Sequence, residues 1–307
     1  MSVAQTARPG FGRRWSQYLA ERFPPLQHGL LIAAFSYGMM RYAAALAQPA
    51  QPPGWLALGV MFGSVFLIML QLRVLDEFKD YEDDARWRPS RPVPRGLVTL
   101  AELRGLWFCA AGLQLAGAWL LDARLIYGLL VIWLYSGLMG VEFFVRDWLK
   151  AHALAYMLSH IVIVPMIAAY AAAGHWLPLG LPMPSLATLL GASYFGFCVI
   201  EIGRKIRAPE DEQQGVETYT FLWGARRALM AWLAFMLAGS ALALLAAAQV
   251  GALLPVLLAL GTTLVLAVAA AVAFLRNPRP GAGSRFNLLS GLWTLALFLS
   301  IGLGAAG

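Results

Sequence analysis

Apolar runs of about twenty residues recur along the chain, separated by short polar connections, and each is long enough to cross roughly 30 Å of hydrocarbon as a helix. They fall at 27–47, 54–75, 101–121, 124–144, 151–173, 185–203, 228–249, 251–275 and 286–305. The pattern predicts an all-α integral membrane protein with nine transmembrane helices. Residues 1–25 then form a cytoplasmic N-terminal segment, and residues 26–307 one nine-helix domain. Composition agrees: 60% of the 307 residues are hydrophobic and 13% charged, a balance that a water-soluble domain of this size could not cover with polar surface. The first apolar run has no small-residue cleavage site beside it and is long enough to stay as a helix. Cys109 and Cys198 both lie within apolar runs, as packing residues without a disulfide framework.

Lys and Arg collect in loops on the cytoplasmic side of a membrane protein. Here 21 of the 23 lie in the N-terminal segment and in the connections after the second, fourth, sixth and eighth runs. The opposite connections carry only Arg124, and Arg41 alone falls inside a run. This places the N-terminus in the cytoplasm and the C-terminus outside, with a bacterial inner membrane as the expected location. The net charge of +7 thus reflects orientation, and no nucleic-acid partner is expected.

The acidic residues are less easily explained, because carboxylates are not needed for orientation. Eleven of sixteen lie in two short segments, Asp76–Asp84 and Glu201–Glu217, both after even-numbered runs and so at the same membrane face. Glu77, Asp80 and Asp84 follow a D-x-x-D-x-x-x-D spacing, which lines three carboxylates along one stripe if the second helix continues through them. Such a stripe repels itself unless cations neutralise it, and clustered oxygens suit Mg²⁺, which bridges carboxylates and substrate phosphates. Arg88 and Arg91 follow directly, with guanidinium groups suited to bidentate phosphate contacts. The plainer alternative is a solvated loop carrying the positive-inside charge.

These residues resemble the UbiA superfamily of intramembrane prenyltransferases. Its first motif, N-D-x-x-D-x-x-x-D followed by R-P-L-x-x-G, is similar to Asp76-Glu77-Phe78-Lys79-Asp80-Tyr81-Glu82-Asp83-Asp84 and then Arg91-Pro92-Val93-Pro94-Arg95-Gly96. Asp76 replaces the usual Asn and Glu77 the first Asp. The second motif resembles 201–212, where Glu201 and Glu212 match family acids and Ala208 stands in place of an Asp. The resemblance implies nine helices in one bundle around a lipid-open cavity, with Mg²⁺, or Mn²⁺ in its place, held by Asp76, Glu77, Asp80, Asp84, Glu201 and Glu212. Glu77, Asp80 and Asp84 are the expected catalytic group. Arg88, Arg91, Arg146, Lys205 and Arg207 are the expected diphosphate ligands. The implied reaction moves an isoprenoid group from a prenyl diphosphate to a small acceptor, expected to be aromatic. Mg²⁺ and Arg stabilise the departing diphosphate, a dry cavity protects the allylic cation, and Phe78, Tyr81, Phe143, Tyr194 and Tyr219 are candidates to face it.

Two rival readings remain. A terpene cyclase of the same type would ionise the same diphosphate and let the substrate's own double bond attack. A transporter or lipid-binding membrane protein would use Arg41 and the acids as a path, but its carboxylates should lie mid-span. His152 and His160 lack a Cys or carboxylate at ligand spacing and read as packing or polar lining. Ala208→Asp should restore a metal ligand if the site accepts a carboxylate there. The acceptor, the prenyl chain length and any protein partner are not legible in the residues.

Overall fold

The computed structural model describes residues 10–47 and 50–305; Arg8, one of the N-terminal basic residues in the orientation argument, lies outside them. Helices come in the order α1 (Phe11–Arg22), α2 (Pro25–Leu46), α3 (Trp55–Lys79), α4 (Tyr81–Trp87), α5 (Leu100–Leu121), α6 (Leu125–Gly140), α7 (Arg146–Ala151), α8 (Ala153–Ile161) and α9 (Ile163–Trp176). They continue with α10 (Ala187–Gly203), α11 (Tyr219–Trp223), α12 (Ala225–Gln249), α13 (Leu253–Arg276) and α14 (Gly283–Gly304). No strand occurs among the described residues.

Six helical stretches among the described residues are long and apolar enough to cross a membrane: α2, α3, α8 with α9 as Ala153–Trp176, α12, α13 and α14. Two further apolar helices, α6 and α10, are shorter, and α5 has 22 residues with Glu102 and Arg104 in its first turns. Local signals set several helix ends. Pro25 opens α2, where its missing N–H costs nothing. Thr99 and Glu102 form a reciprocal capping box at the start of α5, an arrangement whose cap alone is worth about 1 kcal/mol.

Between apolar helices in lipid, attraction comes from close van der Waals packing, which small residues permit. α10 packs on α12, and α2 packs on α14 and α9. At Gly38 of α2, an added Cβ would lie 2.6 Å from the Phe298 carbonyl oxygen of α14, so only glycine lets these two backbones approach. Trp232 and Trp293 are fully buried where α12 and α14 meet, and the Trp232 indole N–H donates to Ser290 Oγ at 2.9 Å. Exposed Trp55, Trp119 and Tyr127 ring the end of the bundle opposite the acidic segments, as aromatic residues do at a membrane–water interface.

Candidate functional site

α3 ends at Lys79, and Asp80 leaves the helical conformation (φ −93°, ψ 5°) before α4 begins. The single continuous stripe expected for Glu77, Asp80 and Asp84 is therefore interrupted, and the three carboxylates meet different partners. Glu77 is buried against Arg22 of α1, whose Nε donates to Oε1 at 2.5 Å, and against Arg73 Nη2 at 3.4 Å. Asp84 is buried between Arg88 Nη2 at 2.7 Å and Arg91 Nη1 at 2.6 Å. Asp80 differs. Among the described residues no ion pair or side-chain hydrogen bond reaches it, and burial, with the Asp76 carboxylate adding to it and Lys79 opposing, pushes its carboxyl above the ordinary value. Asp76 is half-exposed, 3.5 Å from Arg73 Nη1.

Lys79, between these acids in sequence, is a functional candidate that motif reasoning passed over. It stands one helical turn from Asp76, and its ammonium donates to the Tyr156 hydroxyl and lies 3.9 Å from Glu142 Oε1. Tyr156 and His160, four residues apart on α8, stack with ring centroids 4.0 Å apart. Asp76, Lys79 and His160 line a small cavity of about 30 Å³ together with Ser136, Met139 and Gly140. His160 is thus polar lining, as expected, while His152 is exposed and stacks on Trp148. The i, i+3 and i, i+4 spacings were the available signal; the helix partners were not. A larger hollow of about 460 Å³ between α13 and α14 is lined by Asn277, Arg279, Ser284 and Arg285, and by none of the acids of either segment.

Glu142, Phe143 and Phe144 all have positive φ (50°, 52° and 61°) in the turn after α6. Three consecutive non-glycine residues in the left-handed region cost about 1–2 kcal/mol each. The turn buries Glu142 toward Lys79 and sets the Phe143 ring edge-on to His160 at 5.6 Å. Strain of this kind persists where surrounding structure over-determines it, commonly at functional sites.

The second acidic segment follows α10. Glu201 accepts from Arg204 Nε at 2.6 Å and lies 3.0 Å from Lys205 Nζ, which also sits over the Tyr219 ring. Glu212, expected as a metal ligand, accepts hydrogen bonds from the hydroxyls of Thr218 and Thr220 at 2.6 and 2.8 Å. Arg207 donates to the Asp211 carbonyl at 3.2 Å. Ala208 is fully buried, so a carboxylate introduced there would enter the core. Arg146 opens α7 as an exposed residue. Asp76 lies near enough to act electrostatically on both His160 and Arg204, which brings the two segments to one face. Arg41 sits at the other end, donating to the Ala305 carbonyl at 3.2 Å. Among the other aromatic candidates, Tyr194 donates to the Leu158 carbonyl and Tyr81 is exposed.

A family model, the UbiA prenyltransferase family, matches residues 33–302. The chain belongs to the UbiA prenyltransferase family. It is accordingly an integral membrane protein; both acidic segments fall inside the matched region, as do the membrane-spanning helices except for the first residues of α2 and the last of α14. The fold is similar to that of a UbiA homologue from Aeropyrum pernix K1, at 18% identity and a TM-score of 0.64, covering 90% of this chain and 96% of that one. A digeranylgeranylglyceryl phosphate synthase aligns at 15% identity and a TM-score of 0.57, covering 95% and 99%. A UbiA homologue from Archaeoglobus fulgidus bound to GPP and Mg²⁺ aligns at 15% identity and a TM-score of 0.53, covering 93% and 99%. No curated protein matches the sequence.

Proposed function

We propose that this UbiA-family chain transfers an isoprenoid group from a prenyl diphosphate to a small aromatic acceptor, in a bacterial inner membrane with its N-terminus in the cytoplasm. The single observation that supports this most is the carboxylate pair Asp76 and Asp80 beside Lys79. It lies within a family match covering most of the chain, on the face that also carries Arg204 and Lys205. The relative from Archaeoglobus fulgidus that binds GPP with Mg²⁺ supports the same donor class. In this reading all nine apolar runs cross the membrane and enclose a lipid-open cavity.

The donor set suits Mg²⁺: Asp76 and Asp80 offer only oxygen, and Asp80 carries no competing cation. Glu201 reaches the same face between Arg204 and Lys205. Glu77, Asp84 and Glu212 have the partners described above, and we assign them to shaping the site. Bound Mg²⁺ would supply charge neutralisation for the diphosphate. Lys79, Arg204 and Lys205 add positive charge where the leaving group develops negative charge, with Arg88 and Arg91 after the first segment, Arg207 in the second and Arg146 at the start of α7 as further candidates. The allylic C–O bond breaks and its electron pair departs with the diphosphate. The acceptor ring carbon then bonds to the allylic carbon and loses its proton. Phe143, which meets His160 only edge-on, offers an aromatic face to the cation, whereas the Tyr156 and Tyr219 rings already carry Lys79 and Lys205 over them.

The test is donor binding. Geranyl diphosphate should bind the purified protein in detergent micelles only with Mg²⁺ or Mn²⁺, and Asp80→Ala should weaken binding at least tenfold. Binding that is indifferent to excess chelator excludes this reading.

A further inference from the structure

Helix α1 precedes the region matched by the family model, yet it is firmly attached to the first acidic segment and its flank. Arg14 bonds the Leu97 carbonyl at 2.9 Å and Glu102 at 2.9 Å, and Glu21 pairs with Arg95 at 2.7 Å. Tyr18 is fully buried beneath it. These contacts deliver its last residue, Arg22, inward. Arg22 Nε lies 2.5 Å from Glu77 Oε1 and Nη2 lies 3.9 Å from Asp84 Oδ2, with side-chain exposures of 10% for Arg22 and 1% and 2% for the two acids. One guanidinium therefore bridges two of the carboxylates in the segment and leaves the intervening Asp80 without a basic partner.

We propose that Arg22 is a positioning residue that decides which carboxylates of the first segment are open to a divalent cation. This rests on the prenyltransferase reading of that segment. Arg22 pairs with Glu77 and stands 3.9 Å from Asp84, a cation fixed to the fold that joins Arg73, Arg88 and Arg91 in leaving Asp76 and Asp80 as the more open carboxylates. Arginine suits the task because it stays charged at every working pH and its planar fork can face two carboxylates at once. The arrangement has a signed consequence. A positive charge beside a metal position lowers divalent affinity, so removing it raises that affinity. A helix that merely props the loop would lower affinity, or leave it unchanged, when its anchor is lost.

The experiment measures binding of Mn²⁺ alone to the full chain in detergent micelles, from the electron paramagnetic resonance signal of free Mn²⁺. Arg22→Gln should bind Mn²⁺ roughly three- to tenfold more tightly and Arg22→Lys within about twofold of the parent, the range expected for one charge removed or kept nearby. Glu77→Gln removes a negative charge and leaves Arg22 only its longer contact to Asp84, and should weaken Mn²⁺ by a similar factor. The double variant Arg22→Gln/Glu77→Gln, neutral at both positions, should return to the parent value. Should Arg22→Gln fail to fold, the Glu77→Gln and double variants carry the same comparison. Equal affinities among all folded variants, or weaker binding in Arg22→Gln, overturn the inference. Absence of saturable Mn²⁺ binding in the parent protein instead overturns the metal reading of the segment itself.

Discussion

Asp80 is the residue whose surroundings differ most from those of its neighbours. Glu77 and Asp84 each have guanidinium partners, whereas Asp80 is half-buried with Asp76 as its nearest charge of like sign. Its raised carboxyl value means that the folded chain holds the proton more tightly than the unfolded chain. Folding is therefore favoured at low pH, and that contribution is lost as pH rises through the folded-state value. In metal-free protein, Asp80→Asn removes the buried charge and should raise Tm at pH 7–8. The gain should vanish below the ordinary carboxyl value of about 4, where Asp80 is protonated in both states. Thermal unfolding in chelator across that range is the measurement, and a lower Tm at pH 8 contradicts the assignment. The spacing of Asp76, Asp80 and Asp84 was legible in the sequence. Their division was not, because it depends on which of several arginines reaches each acid, among them Arg22, which lies 55 positions from Glu77.

At the scale of elements, the helices are held by close approach at small residues. In α2, Gly38→Ala would press a methyl group against the Phe298 carbonyl, a backbone atom that cannot rotate aside. Overpacking of this kind costs about 1–3 kcal/mol. Gly137→Ala in α6, where nothing lies within 4 Å, should leave stability unchanged or slightly improved, since alanine favours the helix. Thermal unfolding of both variants in one detergent compares them directly; equal Tm values would show that α2 and α14 can slide apart at no cost. The apolar runs foretold where these helices lie to within a few residues. They did not foretell that α3 stops at Lys79, or that Glu142–Phe144 takes a left-handed turn, since neither segment contains a Gly or Pro to signal a break.

At the scale of the molecule, charge and aromatic residues divide the bundle into two ends. The acidic segments and nearly all basic residues share one end, while Trp55, Trp119 and Tyr127 ring the other, where Arg124 is neutralised by Asp122 at 2.7 Å. If, as proposed, all nine apolar runs cross and the N-terminus is cytoplasmic, reporter fusions after Gly54, Pro184 and Gly307 should all report the outer side. A cytoplasmic signal at Gly307 would remove the ninth crossing.

What the sequence determined by itself was the membrane-embedded helical class, the single face that gathers the acids, and the family. Each depends on local composition or short spacing: twenty apolar residues satisfy their own backbone as a helix in lipid, and loop charge sorts by side. The tertiary structure alone decided which partner each acid meets. Glu212 is taken by Thr218 and Thr220, Glu77 by Arg22 and Arg73, Asp84 by Arg88 and Arg91, and Ala208 is enclosed by the core. Lys79, Tyr156, His160 and Glu142 come together from two separate helices and a turn. Availability of a charged group depends on what packs against it across long stretches of chain, and a buried charge takes whichever opposite charge the fold brings within about 4 Å.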